Sequence, residues 1–356
     1  MNRLPIAAAL SCALFAGSAP AQDGAGALPK LGADPDSTTV SGISSGGFMA
    51  AQLATAYSSQ ITGVGVVAGG PFYCAHTYAA LANLENATGT CMTPLAPAVA
   101  ADGAISLANA GRFAAAGRID AVDNLKRQRV YASSGANDNT VRPIVTDQVP
   151  KYYQLAGVPA ANIRYVRSDK AGHAFATSNP DDQDCATTGS PYINNCGYRQ
   201  ADDLLRHLHP ERSAAASGGA LTGRLIRFDQ KEFVQGTRSS MDDVAWIYVP
   251  AACTQGEPGA RGCALHIAFH GCRQGASEIG ARFYRDVGYN AFADANRLIV
   301  LYPQAHVSKG IPFNPRGCWD FWGYSNDGAD VAAFATRNAP QMAAVMAMAA
   351  RLRQLP

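Results

Sequence analysis

The segment Gly42-Ile43-Ser44-Ser45-Gly46 sets a serine two positions from a glycine on either side, the pattern GxSxG. A serine so placed is a nucleophile for acyl transfer when it sits on a strained turn between a strand and a helix, because the turn lifts Oγ clear of the sheet. The glycines let strand and helix pack closely around it. The start of the helix aims backbone N–H groups at developing negative charge. Ser45 is the competing nucleophile, but its register puts Ile43 and Gly47 where the flanking glycines belong. Ser44 is the better candidate.

Such a hydroxyl needs a histidine to take its proton and a carboxylate to orient that histidine. Asp138, in SGANDN, and His173, in AGHA, follow Ser44 in the order Ser, Asp, His. Asp147 and Asp169 are the other acidic candidates. The first falls on an expected helix and the second precedes the histidine too closely. His76, His207 and His209 fall in inserts or near a joint, and His266 sits inside an expected strand, where a core histidine is the default.

The elements that must hold these residues are legible as alternating apolar runs and helical periods. Strands are expected at 37–41, 61–68, 129–133, 162–166, 223–229, 244–249, 264–269 and 298–302. Helices are expected after the elbow and at 145–155, 276–296 and 327–352, and residues 71–128 read as a long excursion. Strand–helix alternation implies an α/β fold: a mostly parallel central sheet with helices on both faces. Ser44, Asp138 and His173 each come just after an expected strand, so all three project from one sheet edge.

The order of parts is unusual. An α/β-hydrolase elbow needs several strands before it, and there is no room for them ahead of residue 37. They come later instead: ALHIAF ends in His270-Gly271-Cys272, a loop of the kind that supplies half of an oxyanion hole, and LIVLY follows. A circular permutation accounts for this, with the joint near residues 210–222, where 213–219 (SAAASGG) is small and polar. The expected oxyanion donors are then the N–H of Ser45 and the N–H of Cys272.

Composition sets the surroundings. At 47% hydrophobic and 16% charged over 356 residues, the chain can bury a large core. A net charge of +2 with no basic patch argues against nucleic acid as a partner. Asn2-Arg3, the apolar run 6–15 and Ala19-Pro20-Ala21 read as an export signal, leaving residues 22–356 as a single catalytic domain. No stretch is long and apolar enough to span a bilayer. A secreted monomer is expected, periplasmic or extracellular. Of nine cysteines, Cys12 leaves with the signal, and an even remainder in an exported chain favours disulfides. Neighbours in the chain suggest Cys74–Cys91, Cys185–Cys196 and Cys253–Cys263, which leaves Cys272–Cys318. No CxxC or HxxxH spacing supports a metal, and no cofactor is expected.

Taken in order, SGISSGGFMAAQL, SGANDNTV, AGHAFAT, HGCRQG, VLYPQA and GCWDFWGY resemble the catalytic domain of the extracellular poly(3-hydroxybutyrate) depolymerases. That resemblance implies a circularly permuted α/β-hydrolase with Ser44, Asp138 and His173 as triad and the Cys272 amide as an oxyanion donor. It also implies substrate contact by Trp319 or Trp322. The implied activity is hydrolysis of an aliphatic polyester or its 3-hydroxybutyrate oligomers; a feruloyl or acetyl-polysaccharide esterase is the alternative. Many bacterial members carry a linker and a polymer-adsorbing domain, and none is expected here.

Overall fold

The computed structural model describes residues 25–212, 220–236, 238–254, 262–326, 328 and 330–356. The expected export signal and residues 213–219 of the expected joint lie outside the described residues. Among the described residues eleven strands run in chain order: β1 Thr38–Ile43, β2 Gly63–Val67, β3 Arg129–Gly135, β4 Ile163–Ser168, β5 Phe175–Thr177, β6 Gln183–Asp184, β7 Ile193–Asn195, β8 Arg224–Asp229, β9 Val244–Val249, β10 Ala264–Phe269 and β11 Leu298–Tyr302. Eight of them form one sheet in the order β4-β3-β2-β1-β10-β11-β9-β8. Strands β4 to β11 along that order pair in parallel, and β9 and β8 are antiparallel. Counting from β8 as first strand and running on from β11 into β1, spatial order departs from chain order only where β10 and β11 exchange places. This is the rearranged order expected for a permuted α/β-hydrolase sheet.

Side chains alternate between two cores, one on each face. Val40, Val64, Val66, Leu265, Ile267 and Phe269 meet the helices Ser45–Ala56, Gln148–Leu155 and Pro340–Arg353. Ile43, Val67, Ala264, Ala268, Leu298 and Val300 meet Gln200–Leu208 and Tyr289–Asn296. Continuous burial of β1, β2, β10 and β11 is what a parallel sheet covered on both faces requires. On the second face the polar residues of β1 are paired rather than exposed. His266 lies between Thr39 Oγ1 and Ser41 Oγ, each at 2.8 Å. Thr39 Oγ1 also meets His209 Nε2 at 2.8 Å, and Ser41 Oγ meets Tyr289 OH at 2.7 Å.

The helices differ from expectation in three places. Residues 276–296 form Ala276–Ile279, a wide turn Arg282–Asp286 and Tyr289–Asn296, broken at Gly280 (φ 60°) and Gly288 (φ 100°). The helix expected over 145–155 is split into Pro143–Thr146 and Gln148–Leu155, since Pro150 has no amide to give to the carbonyl of residue 146. The last helix begins at Pro340 rather than near 327, because the residue before a proline is driven out of the helical region and Ala339 is extended (ψ 129°). The three-stranded sheet β5-β7-β6 was not foreseen; its strands are too short to show a period.

Candidate active site

Ser44 follows β1, Asp138 follows β3, His173 follows β4 and Cys272 follows β10. These four strands are parallel neighbours or near neighbours, so their carboxyl ends share one edge. Ser44 has φ 58° and ψ −125°, a conformation that costs a side-chain-bearing residue roughly 1–3 kcal/mol and is held by its surroundings. The surroundings are tight. A Cβ on Gly42 would stand 2.3 Å from the Gly46 carbonyl oxygen, and one on Gly46 would stand 2.3 Å from the carbonyl oxygen of His270. Only glycine at both positions lets the elbow close against β10. Ser44 N–H donates to Val67 O at 2.9 Å, which ties the turn to β2.

Asp138 is buried at the turn after β3. Its Oδ1 accepts the amides of Thr140 (2.9 Å) and Val141 (2.8 Å), and its Oδ2 lies 2.7 Å from His173 Nδ1. Both side chains are almost fully buried. The carboxylate can only accept, so Nδ1 carries the proton and Nε2 is left with its lone pair. The runner-up Asp147 is used elsewhere, accepting from Tyr165 OH at 2.6 Å and pairing with Arg167. His173 N–H donates to Thr188 Oγ1 at 2.9 Å.

Ser44 and His173 line the same cavity of about 140 Å³, together with Met92, Thr140, Thr188, Tyr192, Arg273 and Arg316. No hydrogen bond within 3.5 Å joins Ser44 Oγ to the imidazole among the described residues. Such bonds are commonly long until substrate packs the site. Ser45, the rival nucleophile, is turned away: its Oγ accepts the Trp319 amide at 3.2 Å.

The loop after β10 is held on both sides of Cys272. Gly271 N–H donates to Gln274 Oε1 (2.7 Å), Arg273 N–H to Arg316 O (2.7 Å) and Gln274 N–H to Gly271 O (3.2 Å). Among the described residues the amides of Cys272, between them, and of Ser45 have no acceptor. These are the two donors expected for an oxyanion hole. The bridge Cys272–Cys318 closes this loop against the segment after β11, and Cys74–Cys91, Cys185–Cys196 and Cys253–Cys263 pair as their chain neighbourhood suggested. No cluster that could hold a metal ion occurs among the described residues.

His270 supports the loop from below. Ala305 N–H donates to its Nε2 at 3.1 Å, so Nδ1–H donates to Gly271 O at 2.7 Å. Accepting at Nε2 needs the neutral ring, and complete burial lowers its pKa to about 4. Burial likewise lowers His209 and takes His266 well below its usual value. The unfolded chain therefore binds more protons than the folded one as pH falls from about 6.5, and stability drops across the window down to about 4. His270 alone accounts for about 3 kcal/mol of that loss. Urea unfolding at pH 7 and pH 4.5 is expected to show it, with a smaller loss in H270N; equal stability at the two pH values would contradict it.

Neither expected tryptophan reaches the cavity wall. Trp319 is fully buried, with ring centroids 4.8 Å from Phe269 and 5.4 Å from His270. Trp322 is half-buried against Phe321 and Tyr324. Asp320 between them folds the segment. Its Oδ1 accepts the amides of Trp322, Gly323 and Tyr324, and its Oδ2 accepts the amide and hydroxyl of Ser325. Burial nonetheless pushes the Asp320 carboxyl up. The sequence reading missed Met92, Thr188 and Tyr192, which reach the cavity from the long excursion and from the loop pinned by Cys185–Cys196. No residue spacing announces them. Arg273 and Gln274 lay in the quoted HGCRQG segment without a role assigned.

No protein-family model matches the chain. It is 40% identical over 326 residues to a poly(3-hydroxybutyrate) depolymerase of Delftia acidovorans, covering 91% of this chain and spanning 61% of that relative's length. It is 37% identical to a polyhydroxybutyrate depolymerase of Talaromyces funiculosus, covering 87% of this chain and 89% of the relative. A solved PHB depolymerase in complex with an R3HB trimer superposes with a TM-score of 0.80 at 34% identity, over 92% of this chain and 98% of that one. The PHB depolymerase structure from Penicillium funiculosum gives a TM-score of 0.77 at the same identity and coverage. With the strand order, the elbow and the His–Asp pair already in view, these likenesses place the chain: it belongs to the poly(3-hydroxybutyrate) depolymerase family.

Proposed function

We propose that this chain is an exported, monomeric serine esterase that cleaves the ester bonds of poly(3-hydroxybutyrate) or of its oligomers through an acyl-enzyme. The observation that carries the reading is the buried Asp138–His173 pair opening onto the cavity of Ser44 and the unengaged Cys272 amide. Ser44 Oγ attacks the ester carbonyl while His173 Nε2 takes its proton. Asp138 stabilises the imidazolium so formed. The carbonyl oxygen takes its negative charge against the N–H groups of Ser45 and Cys272, each worth roughly 10²–10³-fold in rate. His173 then protonates the departing alkoxide. A water molecule, deprotonated by the same nitrogen, releases the hydroxy acid and restores Ser44. Trp319 acts from behind the wall, backing the oxyanion loop through Phe269 and His270.

Substrate choice rests on kinship, since one structural relative was solved with an R3HB trimer. Export is supported by the four disulfides, which persist in oxidising compartments. No helix among the described residues is long and apolar enough to cross a membrane. The test is parallel turnover of amorphous poly(3-hydroxybutyrate), of hydroxybutyrate trimer, and of feruloyl and acetyl-polysaccharide esters, with products weighed by mass spectrometry. Release of 3-hydroxybutyrate and short oligomers is expected. Turnover of only the feruloyl or acetyl esters would replace this reading with the other esterase.

A further inference from the structure

The ester chemistry leaves two cavity residues without work. Arg273 and Arg316 both line the cavity that holds Ser44 and His173, and no Asp or Glu lines it with them. Both side chains are exposed, and among the described residues neither guanidinium has an ion pair or a hydrogen bond. They rise from one rim. Arg273 N–H donates to Arg316 O at 2.7 Å, and the Cys272–Cys318 bridge joins their neighbours. Arg273 also has φ 59°, where a long side chain is disfavoured and glycine is free. Backbone strain of this sort gathers at ligand clamps. Two cations on one rim beside a reaction that yields an acid call for an anion, and the planar guanidinium fork matches a carboxylate.

We propose that Arg273 and Arg316 clamp the free carboxylate end of a hydroxyalkanoate oligomer, so that cleavage removes hydroxy-acid units from that end. The inference rests on the function proposed above. With the carboxylate held at this rim, the leaving group of the attacked ester is the terminal hydroxy acid itself. Ser44 Oγ bonds to the acyl carbon, and the bond from that carbon to the terminal unit's oxygen breaks. His173 gives that oxygen its proton, and the unit departs as a 3-hydroxy acid with its carboxylate still ionised. The remaining oligomer, which ends in a hydroxyl, stays on Ser44 until water releases it with a new carboxylate. That new end is the group the clamp takes next, so the site works through short chains unit by unit. Polymer interiors and esterified ends present no such charge.

The test compares hydroxybutyrate trimer as its free acid with the trimer methyl ester, using the parent enzyme, R273Q, R316Q and the double variant. Fluorophosphonate titration of Ser44 sets the concentration of competent enzyme, so that a poorly folded variant does not pass for a weak binder. The parent is expected to favour the free acid, with an advantage that shrinks as salt is raised to 0.5 M, as screening of exposed charges requires. The double variant is expected to lower the acid-to-ester ratio of kcat/KM at least tenfold, chiefly through KM for the acid. A ratio that is the same in the parent and the double variant overturns the clamp while leaving ester hydrolysis in place. Hydrolysis of neither trimer by the parent overturns the clamp, and if amorphous poly(3-hydroxybutyrate) is also left intact the functional reading falls with it.

Discussion

Replacing Ser44 with alanine lowers turnover of a soluble hydroxybutyrate ester about 10⁶-fold, and adding His173→Ala to it lowers the rate little further. The size follows from removing the attacking atom. What is left is binding and the oxyanion donors, which in serine hydrolases retain roughly 10³–10⁴-fold acceleration over water. The lack of additivity follows because His173 has no proton to take once Oγ is gone. The fold is expected to survive. Ser44 Oγ makes no hydrogen bond that the elbow depends on, whereas its amide bond to Val67 O and the Gly42 and Gly46 contacts are retained. Stopped assays with unfolding curves alongside decide it. A stably folded S44A that keeps a hundredth or more of parental activity would mean that another group attacks.

Asp138→Asn is expected to cost about 10⁴-fold, through a wrong tautomer rather than lost geometry. Asp138 Oδ1 accepts two amides, from Thr140 and Val141, and Oδ2 faces His173 Nδ1. An asparagine in the same place must keep its carbonyl oxygen toward the two amides, because its NH₂ group cannot accept them. The NH₂ then points at His173 and donates to Nδ1. That drives the imidazole proton to Nε2, the atom that must take the serine proton. The turn stays satisfied and the base is disabled. Fluorophosphonate labelling of Ser44 and ester turnover are expected to slow in parallel, with stability close to the parent. Loss of stability with near-normal rate per folded molecule would make Asp138 a turn residue only. That is the role its Asn137-Asp138-Asn139 setting suggests when seen without its partner.

These two outcomes bear on residues that were legible before any coordinates. GxSxG between a strand and a helix, and an acid and a histidine each just past a later strand, define roles by chemistry and order. The sheet that unites them was legible too, since buried parallel strands are written as short apolar runs. Strands 244–249, 264–269 and 298–302 end where expected, because each run is bounded by turn residues. Helices fared less well. Over 276–296 the apolar period continues through Gly280 and Gly288, and only the positive φ adopted there breaks it.

What the sequence determined, then, is the scaffold class, a permuted α/β sheet, and the candidates for the reacting set: Ser44, Asp138, His173 and the Cys272 loop. These follow from local patterns that repeat wherever the chemistry is used. Only the tertiary structure decided which other side chains meet them. Met92, Thr188, Tyr192, Arg273 and Arg316 come to one cavity from four separate stretches of chain, and Trp319 turns inward behind the wall. Such meetings depend on how loops are pinned, by Cys185–Cys196, by Cys272–Cys318 and by Asp320. Long-range packing sets those positions, and it leaves no period or spacing in the sequence to read.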